Sequence, residues 1–251
     1  MVKVNAGCVL SSVLIVLLAL TSCSRKYKVE GTSSVTGLDG KVMLLKVLQD
    51  GDWVTVDSAE VVHGLFSMAG SADTTRMVTL YMDDEPLMPL VLEDGKVKVT
   101  ISSAQLVAGG TPLNDRLYEF IDHRNALEVQ YRELVSKQSR MVLDGANVDE
   151  VRQRLSRESE ALTGELNNYI KQFITDNFEN VLGPSIFMMM CSTLPYPVMT
   201  PEIEDIMRVA PASFKENPLV QDYLAKAKEN MQLIEESRRL QQNAGQATAQ
   251  R

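Results

Sequence analysis

The feature that most constrains the fold is a change of periodicity near residue 110. From Tyr27 to Ile101, the apolar residues alternate with polar ones over short runs, as in strands whose side chains point to opposite faces. From Pro112 onward they recur every three or four residues, as on one face of an α-helix. The sequence therefore predicts an α+β fold: an N-terminal antiparallel β-sandwich or barrel over residues 27–110, followed by a C-terminal helical region over residues 111–243.

Three Asp-Gly dipeptides separate the predicted strands: Asp39-Gly40, Asp50-Gly51 and Asp94-Gly95. This dipeptide favours tight hairpin turns, because glycine adopts positive φ without a steric cost. Short strands about ten residues apart are typical of an antiparallel sandwich or barrel. We therefore expect a hairpin at each of the three positions.

The predicted helices begin where a capping side chain precedes a proline, as in Thr111-Pro112, Thr200-Pro201 and Asn217-Pro218. The cap oxygen satisfies a free N–H group, and proline at the first helical position loses no hydrogen bond. Two apolar stripes, on either side of Asp144–Asn147, predict a long antiparallel pair of helices of about 30 residues each. The polar residues 244–251 are predicted to form a disordered tail.

The N-terminus predicts a lipid anchor. Residues 1–22 carry one charge, Lys3, and an apolar run too short to span a membrane, as in a signal peptide. They end in Leu20-Thr21-Ser22-Cys23, which resembles the bacterial lipobox, in which the cysteine is acylated and becomes the first residue of the mature protein. The alternative is an ordinary secretory signal with an incidental cysteine. We predict a lipoprotein signal peptide (1–22), acylation of Cys23 and a short lipidated tether (23–26).

This anchor predicts a location in the cell envelope, because two or three acyl chains hold a protein durably on a membrane. The tether lacks the acidic run that can mark surface-exported lipoproteins. We therefore expect a periplasm-facing protein rather than a surface-exposed one.

Composition argues against several classes of function. The net charge of -8 disfavours nucleic acid, whose phosphates need clustered Lys and Arg. The chain has two histidines, His63 and His123, and no Cys-x-x-Cys. With Cys8 removed and Cys23 acylated, Cys191 is the remaining free thiol. We predict no catalytic constellation, no cofactor and no metal site.

The order of features resembles a known family, the domain of unknown function 4369 of envelope lipoproteins from Gram-negative anaerobes. The segments that carry the resemblance are Tyr27–Gly31, Asp39-Gly40 with its strand, Val56–Ala59, Gly64–Gly70, Leu92–Gly95 and Gly109–Asn114. The resemblance covers residues 27 to about 120. It implies a module that commonly precedes a thioredoxin-like domain of thiol-disulfide oxidoreductases. No Trp-Cys-x-x-Cys occurs here, so no redox residue is carried over.

Several polar or sulfur-rich stretches have two interpretations. Met188–Cys191 offers soft ligands for Cu(I), but we favour core packing, because three adjacent methionines point in three directions around a helix. Asp83-Asp84-Glu85 and Glu202–Asp205 offer oxygens for Ca²⁺, but a solvated loop and a helix N-terminus also favour acids. Asp57-Ser58-Ala59 and Asp73-Thr74-Thr75 match a short O-glycosylation signal of envelope proteins from such anaerobes. Thr74 is the better candidate, because it lies in a predicted loop, whereas Ser58 lies in a strand.

Three hypotheses for function follow. The first is a non-catalytic envelope lipoprotein that docks or scaffolds an envelope protein. The second is an accessory protein of thiol-disulfide oxidoreductases, acting with a separate thioredoxin-like partner. The third is a glycan-binding module, for which Trp53 and a few tyrosines are the available aromatics.

Overall fold

The computed structural model describes residues 25–49, 51–145 and 147–249. The chain divides into two compact units, the first ending at Thr111 and the second beginning at Pro112. This division lies one residue from the predicted boundary. The predicted signal peptide and Cys23 lie outside the described residues. Strands dominate the first unit and helices the second, so the α+β class is confirmed.

The first unit is a pair of four-stranded sheets. Its strands are β1 (Arg25–Ser33), β2 (Val42–Gln49), β3 (Asp52–Glu60), β4 (Leu65–Ala72), β5 (Arg76–Met82), β6 (Glu85–Leu92), β7 (Gly95–Ile101) and β8 (Leu106–Gly109). Sheet A has the order β4-β1-β7-β8, and sheet B has the order β3-β2-β5-β6. All neighbouring strands are antiparallel except β1 and β7, which are parallel. The first strand is therefore central in its sheet.

The Asp-Gly dipeptides have two different roles. Gly40, Gly51 and Gly95 all have positive φ, as predicted. Gly51 lies in a tight hairpin, since Gln49 pairs with Asp52 across the turn between β2 and β3. Gly40 and Gly95, in contrast, lie between strands of different sheets. The prediction of hairpins at those two positions is wrong, because a turn conformation does not determine which strand lies next.

Aromatic rings of β1 and β4 pack over glycines of the opposite strand. Phe66 pairs with Gly31, and Tyr27 pairs with Gly70. A Cβ on Gly31 would overlap the Phe66 ring, and one on Gly70 would lie 2.6 Å from the Tyr27 hydroxyl. The two glycines therefore allow both aromatic side chains to lie across the sheet and remain buried.

Strand β1 also overlaps the predicted tether. Arg25 pairs with Ala72 of β4, and the Lys26 amide donates to Asp94 Oδ1 at 3.0 Å. The prediction of a tether over 23–26 is therefore wrong for its last two residues. A short polar sequence of this kind is typical of a linker, but here its backbone pairs with β4.

The second unit has six helices: α1 (Pro112–Leu143), α2 (Val148–Asp176), α3 (Leu182–Cys191), α4 (Pro201–Val209), α5 (Ala212–Lys215) and α6 (Pro218–Ala249). Two of the predicted caps, Thr200 and Asn217, are present, and Asn147 caps α2 in the same way. The side chains of Asn147, Thr200 and Asn217 accept from amides of the following turn. Each cap satisfies amides that the helix itself leaves unpaired.

The last helix continues to Ala249, beyond the predicted end at residue 243. The predicted disordered tail over 244–251 is therefore wrong up to that residue, and its last two residues lie outside the described part of the chain. Alanine and glutamine have high helix propensity even without an apolar face. Residues 244–249 lack an apolar stripe, which predicts that they do not pack against other helices. It does not predict where the helix ends.

Substituting Gly31 with alanine tests the aromatic-over-glycine packing. The new methyl group has to displace the Phe66 ring, and overpacking of this kind costs about 1–3 kcal/mol. We expect Gly31→Ala to lower the free energy of unfolding of the first unit by that amount. Urea unfolding followed by the fluorescence of Trp53, the single tryptophan, measures it, because Trp53 lies in β3.

Gly164→Ala is the matched control, since no atom lies within 4 Å of the position of its added Cβ. In the middle of α2 it should stabilise the helix by up to about 1 kcal/mol and leave the Trp53 transition unchanged. The cost of Gly31→Ala should shrink in a Phe66→Ala background. An unchanged cost there, or no cost at all, would contradict the packing described.

Candidate functional site

Helices α1 and α2 form an antiparallel hairpin, as predicted. Side-chain contacts between them join residues whose numbers rise along one helix and fall along the other. Arg116 Nη1 donates to Asn177 Oδ1 at 3.0 Å, and Lys137 Nζ lies 3.5 Å from Glu158 Oε2. The hairpin therefore runs in one register from its base at Arg116 to its tip between the two helices.

Burial within the hairpin is uneven. In α1 it ends at Leu127: of the described side chains from residue 128 to 143, none is buried. Over residues 148–163 of α2, Val151 and Leu155 are the buried side chains. The expectation of a buried stripe along both helices is therefore wrong here, because two helices alone bury only the seam between them. Residues 128–143 and 148–163 are called the arm below.

An apolar groove lies where the arm begins. It has a volume of about 360 Å³ and is lined chiefly by Leu127, Tyr131, Leu162 and Leu166. Within each helix these residues are four apart, so they share one face. Tyr131 is 45% exposed, and Leu162 and Leu166 are half-buried. The groove is thus an open apolar surface on an ordered scaffold.

The same face of α2 has other helices of the unit beside it nearer the base. Ile170 continues the row of Leu162 and Leu166, and it lines a smaller cavity together with Ile203 of α4 and Met190 of α3. Lys171 Nζ binds Asp205 Oδ2 of α4 at 2.8 Å. A helix of the unit itself therefore packs beside Ile170, while the groove one turn further along α2 remains open.

The thiol of Cys191 is in an environment that disfavours reaction. Its residue is 4% exposed. Burial raises the pKa of the thiol from 9.0 to about 11, and a hydrogen bond with Tyr223 offsets part of this rise. The Tyr223 hydroxyl is itself held by Val198, to whose carbonyl it donates at 2.9 Å. Since the thiolate is the reactive form, Cys191 has the properties of a core residue.

Met189, Met190 and Cys191 each contact a different neighbour. Met189 Sδ accepts from Arg124 Nη1 of α1 at 3.3 Å, Met190 faces α2 and α4, and Cys191 meets Tyr223 of α6. Successive residues of a helix point about 100° apart, so they contact different neighbours. These contacts with neighbouring helices are of the kind expected from core packing.

The acidic stretches are bound by cationic side chains. Asp83 has a φ of 51° in the turn after β5, where it accepts from Lys41 Nζ at 2.8 Å and from the Val42 amide. Both hydrogen bonds lower the pKa of Asp83, that from Lys41 more strongly. Asp205 is held by Lys171 and Arg208. Among the described residues, no group of three His, Cys, Asp or Glu side chains is placed to hold a metal ion.

The predicted glycosylation sites are both on the surface. Thr74 lies in an exposed bend between β4 and β5, and Ser58 lies on the exposed face of β3, an edge strand of sheet B. Asp57 is fixed beside Ser58, because its Oδ2 accepts from the Tyr27 hydroxyl at 3.0 Å. Modification of Thr74 and Ser58 stays a prediction.

The remaining sequence candidates are dispersed. His63 lies in a turn of the first unit with a φ of 52°, and His123 packs against Tyr169 in the second. Trp53 is 50% exposed beside its cross-strand partner Leu48, and it contacts the Tyr81 ring edge-on at a centroid distance of 5.7 Å. Trp53 thus takes part in packing the outer face of sheet B.

Sequence reasoning missed two surfaces. The groove was missed because apolar periodicity marks a face without showing what covers it. The other surface is a row of lysines on the outer face of sheet A, formed by Lys26 and Lys28 of β1 and Lys96 and Lys98 of β7. Their alternate spacing was visible, but their adjacency depends on a parallel pairing of strands about 70 residues apart.

Comparison with known proteins finds a family match over most of the first unit and the start of α1. Residues 27–117 match the model of a family described as a domain of unknown function (DUF4369). A search of curated proteins gave no match. After Gly109 the described residues contain no strand, so the thioredoxin-like domain that the family resemblance implied is not among them. Nor does any described helix combine the length and apolar character needed to cross a bilayer.

The environment of Cys191 makes a measurable prediction. The rise of its pKa from 9.0 to about 11 lowers the thiolate fraction at neutral pH about 100-fold, and burial also restricts access. We expect a thiol reagent to react with Cys191 at least that much more slowly in the folded protein than in denaturant. Stopped-flow measurement on the mature Cys23→Ser chain, which begins at residue 23 and so lacks Cys8, isolates this thiol. Equal rates in the two states would contradict the assignment.

Proposed function

We propose that this chain, whose first unit is a domain of unknown function 4369, is a non-catalytic lipoprotein of the cell envelope that docks a helix of a partner protein. The observation that carries the proposal is the open groove between Leu127, Tyr131, Leu162 and Leu166. An apolar groove of this kind accepts an amphipathic helix that presents side chains at positions i and i+4.

The neighbouring packing favours a helix as the occupant. Helix α4 already packs beside Ile170, where it presents Ile203 and an ion pair from Asp205 to Lys171. A partner helix bound over Leu162 and Leu166 would extend that layer along α2. The groove is flanked by Glu128 and Arg132, so the partner helix would carry charges of both signs beside its apolar row.

The lipid anchor in this proposal is supported by the N-terminal sequence. An apolar run ends in Leu20-Thr21-Ser22-Cys23, and two or three acyl chains on the cysteine would hold the protein durably on a membrane. The protein would face the periplasm. Strand β1 begins two residues later at Arg25, so the first unit would be held directly at the membrane surface.

A non-catalytic role is supported by the chemistry of the reactive groups. Cys191 is buried with a raised pKa, and exchange between thiols and disulfides needs an accessible thiolate. An accessory role for a separate thioredoxin-like protein is a narrower form of the same proposal, in which that protein supplies the helix bound in the groove.

Removing the acylated sulfur tests the anchor. We expect Cys23→Ser to remain unacylated and to appear in the soluble fraction after the envelope is washed in high salt, because no acyl chain is then present to hold it. Labelling with radioactive palmitate and sedimentation of membranes give the two readouts. A variant that still sediments and still carries the label would contradict acylation at Cys23.

Placing a photo-crosslinking amino acid at Tyr131 tests the groove. In cells we expect an adduct larger than the protein alone, because Tyr131 is exposed beside the apolar row. The adduct should be lost when Leu166 is changed to Lys, which puts a charge in the groove. Circular dichroism of Leu166→Lys should show an intact helical unit, since Leu166 is half-buried.

Glu165 is the control position, because it is exposed on α2 but does not line the groove. A crosslinker there should give no such adduct. Equal adducts at Glu165 and Tyr131, or an adduct indifferent to Leu166→Lys, would contradict docking in the groove. An adduct formed only with a second copy of this chain would contradict docking of a partner protein and show that the groove mediates self-association.

A further inference from the structure

The outer face of sheet A concentrates positive charge. Lys26 and Lys28 alternate along β1, Lys96 and Lys98 alternate along β7, and all four are exposed. Lys28 lies directly beside Lys96 in the parallel pair, and Lys98 lies beside Glu30. At about 3.3 Å per residue, the row from Lys26 to Lys98 is about 13 Å long. We call these five residues the basic strip.

Glu30 neutralises only part of the basic strip. Its carboxylate binds Lys28 Nζ at 2.6 Å and Lys96 Nζ at 3.1 Å. Hydrogen bonds from Lys28 and then Lys96 hold the pKa of Glu30 below its usual value. Within the described residues, neither Lys26 nor Lys98 has an ion pair. The strip therefore has four positive charges and one negative charge, and a second carboxylate, that of Asp94, lies at its end, where it accepts from the Lys26 amide. The chain as a whole has a net charge of -8.

Protection of an edge strand does not explain the basic strip. Lysine often protects the edge strands of a sheet from pairing with other chains, but β1 and β7 are the two central strands of sheet A. Like charges side by side on neighbouring strands weaken a sheet. Lys28 and Lys96 are such a pair, and Glu30 offsets part of their repulsion by binding both. A ligand of opposite charge would offset the remaining repulsion between these lysines.

Covalent geometry limits how far the strip can be from the proposed anchor. Lys26 follows Cys23 by three residues, and three extended residues span at most about 11 Å. The Debye length at physiological salt is about 8 Å, and a lysine side chain extends several ångströms beyond its backbone. If Cys23 is acylated in a membrane, the first lysine of the strip lies within electrostatic range of the lipid headgroups.

We propose that the basic strip binds the anionic headgroups of the membrane in which Cys23 is anchored, so that sheet A lies with its outer face on the bilayer. This inference rests on the lipid anchor of the proposed function and adds an orientation to it. Two or three acyl chains already retain the protein. The strip therefore determines which face of the first unit meets the membrane.

Vesicle binding by a chain without acyl groups tests the inference. The probe is vesicles of phosphatidylcholine, with or without phosphatidylglycerol, added to the mature Cys23→Ser chain at low salt. We expect binding to the anionic vesicles alone, and its loss when salt shortens the Debye length. Removing Lys26 and Lys98 together (K26Q/K98Q) should weaken binding by about five-fold per lysine, roughly 25-fold in all.

Two further variants sharpen the test. K215Q/K228Q changes the net charge equally but at exposed positions of the helical unit, and it should bind as the parent does. E30Q removes the acid of the strip and should strengthen binding about five-fold. Circular dichroism and Trp53 fluorescence check that each variant is folded.

Each contrary outcome is distinct. Equal weakening by K26Q/K98Q and K215Q/K228Q would show an effect of net charge alone and would overturn the inference. No binding to anionic vesicles would also overturn it, as would binding of a soluble anionic polysaccharide in their place. None of these results depends on acylation, so the anchor proposal would stand or fall on the sedimentation of Cys23→Ser from cells.

Discussion

The β unit depends on the pairing of its first strand. Strand β1 lies between β4 and β7, and its parallel contact with β7 joins residues about 70 positions apart. Without β1, sheet A would be divided, and the buried Val97 of β7 would lose its partner Val29. Strand β1 begins two residues after the proposed anchor and is a central strand of sheet A. A pull on the anchor would therefore act on the middle of that sheet.

The elements of the fold could be predicted from the sequence to different degrees. Helix starts were well determined, because the side chains of Thr200 and Asn217 cap their own helices through local contacts. Strands were recognised from alternation, but their neighbours were not. The positive φ of Gly95 is a local property, whereas the crossing from sheet B to sheet A at that point depends on the whole unit.

The candidate site was less predictable, because it depends on what is left uncovered. Leu166 and Ile170 belong to one apolar row of α2 and look alike in sequence. Both are half-buried, but Ile170 lines a cavity shared with Ile203 of α4, whereas Leu166 borders the groove between α1 and α2. Similarly, the lysines of the basic strip are neighbours only because of the register of β1 with β7. The burial of Cys191 was easier to predict, because it follows from the apolar residues beside it in the sequence.

The central claim, that the protein is a lipoprotein anchored immediately before β1, is tested most directly by the mass of its N-terminal peptide. Trypsin should release Cys23-Ser24-Arg25 from the protein purified from membranes. The account predicts that this peptide begins at Cys23 and carries the added mass of acyl chains. An unmodified peptide, or an N-terminus at another residue, would contradict the claim and favour an ordinary secretory signal with an incidental cysteine.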